Sequence, residues 1–331
     1  MKPIIFSGMQ ATGIPHLGNY IGAIRNWLGL QDEYRCLYCV VDLHSITIRQ
    51  DPAVLRERAR DLLILYIALG LDPEKNILYY QSHVKAHAEL AWILNCFTYM
   101  GELNRMTQFK DKSQKSEDNI NAGLFTYPVL QAADILLFQT NLVPIGDDQK
   151  QHLELCRDIA IRFNRIYGDV FTVPEAYIAP VGARIMNLQE PAKKMSKSDS
   201  GNLNNLIYMS DDPKTVIKKF KRAVTDSINQ IKYDPQEQPG VSNLLTIYAS
   251  ATNRKIEECV AEFANATGYG ALKNSVGEAV VAMMEPMHKR FTELKSDTAY
   301  IDNIIKTNKE RAEEMAQVTL NTVKDVIGFP K

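Results

Sequence analysis

What most constrains this chain is an alternation near its start: short apolar runs separated by longer stretches with helical spacing, with no hairpin signal between them. Ile4-Ile5-Phe6 runs into Ser7-Gly8 and reads as a buried strand entering a loop. Residues 20–30 have helical spacing, with Ile21, Ile24, Trp27 and Leu28 on one side. Residues 36–41 form a second apolar run, closed by Asp42. Asp51-Pro52 opens a long helix to Leu69, with Gly70 as C-cap and Asp72-Pro73 as the stop. Residues 77–80 are a third strand, and 86–99 read as a further helix. Strands alternating with helices pair in parallel, and right-handed crossovers then give an α/β fold with a doubly wound parallel sheet.

Near residue 190 the pattern changes to helical stretches at 213–224, 243–251, 256–264, 276–295 and 302–326. The 331 residues exceed what one core usually supports, so the expected division is an α/β domain over 1–188 and a smaller all-helical domain over 189–331. The last helix is a candidate to pack back on the first domain. An apolar fraction of 45% and a charged fraction of 23% describe an ordinary soluble globular protein. A net charge of −1 excludes a uniformly basic nucleic-acid coat but leaves room for a local basic stripe. Five cysteines without a disulfide-like framework suit a reducing compartment. Neither an export signal nor a run of about 18 apolar residues is visible, so a cytoplasmic protein with no membrane partner is expected.

Two segments carry candidate chemistry. The first, Gln10-Ala11-Thr12-Gly13-Ile14-Pro15-His16-Leu17-Gly18-Asn19-Tyr20, follows the first strand, at the end where open parallel sheets bind ligands. The helix N-terminus beyond it suits phosphate; Gly18 permits close backbone approach, and His16 offers a donor. Alone, such a turn is more often only a turn. The second, Lys193-Lys194-Met195-Ser196-Lys197-Ser198-Asp199-Ser200, could hold a polyphosphate and relax after it leaves, or be a solvated basic linker.

Together these segments resemble the paired signatures of the class I aminoacyl-tRNA synthetases. Lys194-Met195-Ser196-Lys197-Ser198 is present in full, and His16-Leu17-Gly18-Asn19 matches a His-x-Gly-His turn with Asn in last place. In order and spacing the chain is similar to the tryptophan branch of that class, of bacterial type. The similarity spans essentially the whole chain, including 41–47, 106–113, 132–136, 146–152 and 182–186. Three positions depart from the family pattern: Ala11 for Pro, Leu43 for Gln and Gln131 for Met.

The resemblance implies a Rossmann-like catalytic domain and a helical domain on the anticodon side of tRNA. It implies ATP-dependent activation of L-tryptophan and transfer to the 3′ end of tRNA(Trp), with Mg2+ arriving on ATP, no tightly bound metal, and a homodimer around 86–127. The amino-acid carboxylate is already ionised at neutral pH and needs no general base, so catalysis rests on positioning and charge neutralisation. By resemblance Lys112, Lys194 and Lys197 bear on the departing pyrophosphate. Gln10, Ala11, Thr12, His16, Gly18, Asn19, Gly146, Asp147, Asp148, Ile185, Met195, Ser196 and Ser198 complete the ATP site. Phe6, Gly8, His44, Tyr127, Gln131, Asp134 and Gln149 frame the amino acid, Asp134 accepting the indole N–H. Asp134 stands in an apolar run and needs a partner in any case; a helix residue bonded to a neighbouring backbone or Tyr hydroxyl is the plain alternative.

A tyrosine-specific synthetase is the nearest rival. Such enzymes generally place a Tyr on the first strand for the substrate hydroxyl, where this chain has Phe6. A non-catalytic RNA-binding paralogue is opposed by the intact Lys-Met-Ser-Lys-Ser loop. Cys36 and Cys39, on opposite faces of one strand, read as core. His83 and His87 read as a wet helix face, and Lys214, Lys218, Lys221 and Arg222 as a solvated stripe or an RNA contact.

Overall fold

The computed structural model describes residues 2–107, 120–146, 149–178, 184–196, 202 and 204–330. Five strands, β1 (Ile4–Met9), β2 (Arg35–Val40), β3 (Ile77–Tyr80), β4 (Leu142–Pro144) and β5 (Glu175–Tyr177), form one parallel sheet in the order β3-β2-β1-β4-β5. Chain order reverses between β1 and β4, so the crevice at their carboxyl ends is the switch point where doubly wound sheets take ligands.

After β1 the chain enters α1 (Leu17–Asn19), a π-type turn (Tyr20–Ile24) and α2 (Arg25–Leu30). The helices α3 (Asp42–Ser45), α4 (Pro52–Ala68), α5 (Ala86–Asn95), α6 (Met100–Asn104), α7 (Ala122–Leu136) and α8 (Lys150–Tyr167) complete the sheet's surroundings. α4 begins as the sequence indicates: Asp51 caps it by accepting from the N–H groups of Ala53 and Val54, and Gly70 leaves it at φ +106. The expected helix over 86–99 is two helices. α5 stops at Asn95, and Tyr99 turns extended (φ −86, ψ 139) as the Glu102 carboxylate reaches back to its N–H, a capping box that starts α6.

Alternate strand residues feed two cores. Phe6, Leu37, Cys39, Ile77 and Tyr79 face α5, α7 and α8; Ile5, Cys36, Tyr38, Val40 and Leu78 face α2 and α4. Cys36 and Cys39 thus lie in different cores, while Cys96 is exposed.

Beyond residue 204 the helices are α9 (Pro213–Lys221), α10 (Pro239–Thr252), α11 (Ile256–Glu262), α12 (Gly270–Ser296) and α13 (Thr298–Ile327). α9 and the two residues after it bury Val216, Phe220 and Ala223 and expose Lys214, Lys218, Lys221 and Arg222, as the spacing predicts. Lys219 breaks that pattern: it is buried, paired with Asp211 at 2.6 Å. α13 runs along the sheet edge, with Ile301 and Ile304 in one core and Ala312, Ala316, Leu320 and Val323 in the other. Between them Asn308 Oδ1 accepts the Leu78 N–H at 3.2 Å, covering the free edge of β3.

Candidate active site

The loop after β1 is held from three sides. His16 and Asn19 form a reciprocal cap: the Asn19 N–H donates to His16 Nδ1 at 3.3 Å, and the His16 N–H donates to Asn19 Oδ1 at 3.1 Å. With Nδ1 accepting, the neutral imidazole carries its proton on Nε2. A side chain on Gly18 would stand 3.1 Å from this ring and 3.6 Å from Met195 Cβ, so the glycine lets the ring and Met195 pack over the helix start. The Ala11 N–H donates to Ser45 Oγ at 3.2 Å, and the Leu17 and Met209 N–H groups pair with the Ile207 and Pro15 carbonyls at 2.8 Å each.

The segment carrying the second signature is tied to the same place. Met195 is buried and donates its N–H to the Ile185 carbonyl at 3.0 Å, while Met186 and Lys194 form an antiparallel bridge. Asn243, buried on α10, clamps Met186 at both ends: Oδ1 accepts the Met186 N–H and Nδ2 donates to its carbonyl, each at 2.9 Å. Ile185 and Met195 thus lie together, Met195 against Gly18, with Lys194 exposed and Ser196 half-buried. Lys112, Asp147, Asp148, Lys197 and Ser198 fall outside the described residues. Gln10 and Thr12 are half-exposed in the loop after β1, and Gly146 is exposed after β4, on the two sides of the switch point.

The predicted amino-acid side is a buried polar cluster. Tyr127, Gln131 and Asp134 recur at i, i+4 and i+7 of α7 and so share one face. Asp134 is 1% exposed and its carboxylate collects three side-chain donors. Oδ1 accepts from Gln81 Nε2 and from His87 Nδ1, each at 2.6 Å; Oδ2 accepts from His44 Nε2 at 2.8 Å. Burial pushes the Asp134 carboxyl up, but the hydrogen bonds and electrostatic attraction of His44 and His87 together outweigh it and hold it well below the usual carboxylate range. Its partners are these side chains, not a neighbouring backbone group or a Tyr hydroxyl. Gln81 cannot turn around, because its Oε1 accepts the Leu43 N–H at 3.1 Å.

The His44 ring meets Tyr127 edge to face at 6.1 Å, and the Tyr127 hydroxyl bonds His152 Nε2 at 2.8 Å. Gln131 Nε2 donates to Gln149 Oε1 at 3.3 Å. Phe6 stacks on Phe138, which also packs on His87. A side chain at Gly8 would lie 2.7 Å from Val41 Cγ1 and would force Val41 to shift.

His87 corrects the sequence reading. It is 0% exposed and not a wet helix face: His83 ends a 3-10 turn (Gln81–His83), and His87 belongs to the separate helix α5. Helical i, i+4 spacing therefore does not apply to the pair. Tyr79, Gln81, His87, Phe138 and His152 were missed as site residues. A histidine between two alanines, as at His87, was the available signal.

The chain matches the family model described as tRNA synthetases class I (W and Y) over residues 1–285. Its structure is similar to tryptophanyl-tRNA synthetase from Mycoplasma pneumoniae, at 36% identity and TM-score 0.89, covering 100% of this chain and 99% of that one. It is similar to the Campylobacter jejuni enzyme complexed with ADP and tryptophan, at 33% identity and TM-score 0.85, covering 98% and 100%. A tyrosyl-tRNA synthetase from Aeropyrum pernix, at 18% identity and TM-score 0.69 over 96% of this chain and 90% of that one, shares the fold.

Proposed function

The chain belongs to the class I tRNA synthetases of the tryptophan and tyrosine family, and we infer that it is the tryptophan–tRNA ligase. It activates L-tryptophan with ATP to tryptophanyl-adenylate and pyrophosphate, then passes the acyl group to the 3′-terminal ribose of tRNA(Trp). The observation that carries this reading is the full-length likeness, at 33% identity, to a synthetase that holds ADP and tryptophan.

The site supports a division of labour. The loop after β1, with its His16–Asn19 cap and Gly18, receives the nucleotide from one side, and Ile185 to Ser196 from the other. Lys194, with Lys112 and Lys197, neutralises the charge that builds on the departing pyrophosphate; Mg2+ enters bound to ATP and supplies further charge there. The indole lies among Phe6, His44, Tyr127 and Gln149, its N–H on Asp134. A carboxylate offers about four acceptor positions. Among the described residues three donors reach Asp134, two of them on Oδ1, which leaves the fourth position on Oδ2. Phe6 offers no hydroxyl partner on β1, which favours tryptophan over tyrosine.

We assign residues 1–188 to the catalytic unit and 189–331 to a helical unit that meets the anticodon side of tRNA. The exposed cations of α9 are a candidate contact there. Among the described residues no helix is long and apolar enough to cross a membrane, which fits a cytoplasmic enzyme. Exposed Trp92, Tyr99 and Met100 on and beside α5 and α6 support a homodimer through the 86–127 stretch. Charging of a tRNA(Trp) transcript with labelled tryptophan tests the reading. Incorporation of tryptophan and not tyrosine is expected; preferential charging of tyrosine on its own tRNA would overturn it.

A further inference from the structure

Asp134 faces the site at one end of a chain of hydrogen bonds that the sequence reading did not foresee, and its other end is buried in the sheet. A carboxylate only accepts, so each group facing it must donate, and the proton of the His87 imidazole lies on Nδ1. In the neutral imidazole Nε2 is then an acceptor, and its partner at 3.0 Å, the Tyr79 hydroxyl, donates to it. Burial pushes the Tyr79 phenol well above its ordinary value, so that proton stays in place. The Tyr79 ring stacks on the imidazole at 5.8 Å, and Phe138 packs against it at 5.6 Å, leaving the ring no room to turn over. Gln81 is fixed by the Leu43 N–H at its other end and fills the second acceptor position of Oδ1.

We propose that Tyr79, His87 and Gln81 are positioning residues for substrate selection. By saturating Oδ1 of Asp134 they leave Oδ2, beside His44, as the only oxygen able to receive the ring N–H of the amino acid. Tyr79 acts at one remove, by bonding Nε2 and so anchoring the His87 ring with Nδ1 turned to Asp134. This rests on the tryptophan reading above and extends it from the acceptor to the groups that aim it. Loss of the His87 donor frees a lone pair on Oδ1 and lets the carboxylate rotate, which blurs recognition of a substrate N–H. A substrate of the same shape without that N–H gains nothing from the alignment and loses nothing with it.

The test compares L-tryptophan with its benzothiophene analogue, in which sulfur replaces the indole N–H, in amino-acid-dependent pyrophosphate exchange. The wild-type enzyme should prefer tryptophan by about tenfold or more in kcat/KM. His87→Leu should lower kcat/KM for tryptophan by about tenfold to a hundredfold, chiefly through KM, and change the analogue by less than about threefold. His87→Asn, whose amide N–H sits near the position of Nδ1, should recover tryptophan to within about threefold of wild type. Tyr79→Phe should cost tryptophan about threefold to tenfold and spare the analogue, and this variant decides the matter if His87→Leu fails to fold. Equal losses on both amino acids in Tyr79→Phe, or no recovery in His87→Asn, would make the cluster a structural core and overturn the proposal. Failure of the wild-type enzyme to use tryptophan, or to distinguish it from the analogue, would instead overturn the functional reading, and the proposal would fall with it.

Discussion

Asp134 is bonded on both oxygens from three different elements: the 3-10 turn after β3 (Gln81), α5 (His87) and α3 (His44). Asp134→Ala therefore removes more than a contact to substrate. It strands three donors in a water-excluded core, where one unpaired donor costs about 1–3 kcal/mol. Losing a buried charge offsets part of the cost, so the net destabilisation should be about 2–4 kcal/mol, or a melting point lower by roughly 3–6 °C. Urea unfolding of the two proteins measures this directly. pH supplies an internal check. The Asp134 carboxyl is held low in the folded chain, so its contribution is complete above the unfolded value near about 4 and fades as pH falls through the folded one. The gap between wild type and Asp134→Ala should thus be constant near neutrality and shrink in acid. A loss under about 1 kcal/mol, or a gap that widens in acid, would refute the account of this cluster.

Lys194→Ala should lower kcat for pyrophosphate exchange by roughly a hundredfold or more while ATP binding changes far less, on the scale of losing one preorganised donor; steady-state kinetics with varied ATP separates the two. Asn243→Ala leaves both polar groups of the Met186 backbone without their clamp, and should raise KM for ATP several-fold more than KM for tryptophan. Gly240→Val cannot be accommodated, because even a Cβ there would lie 2.2 Å from the Val224 carbonyl oxygen; a melting curve should show loss of about 3 kcal/mol or more.

The first three strands and the long capped helix were legible because their apolar runs and turn residues are local signals. β4 and β5, three residues each, are too short to show a period and exist through pairing with β1 and with each other. Asp134 was legible as a carboxylate in need of partners, but its partners were not. Gln81 and His87 lie 53 and 47 residues away, and only the crossover from β3 to α5 brings them to α7. The burial of Lys219 was illegible for a related reason. Its burial depends on Asp211 and the Leu206 carbonyl, at 2.6 and 3.1 Å, which helix periodicity cannot report. The signature loops were legible as motifs, whereas the antiparallel pairing of 15–17 with 207–209 that joins the first of them to the segment following the second was not.

The central claim is that this chain activates tryptophan and reads its ring N–H in a site built around Asp134. Pyrophosphate exchange by the wild-type enzyme, with tryptophan, tyrosine and phenylalanine offered separately at equal concentration, tests it most directly. The account predicts exchange with tryptophan at a kcat/KM about a hundredfold or more above either competitor. Exchange that favours tyrosine, or that treats phenylalanine as well as tryptophan, would contradict it.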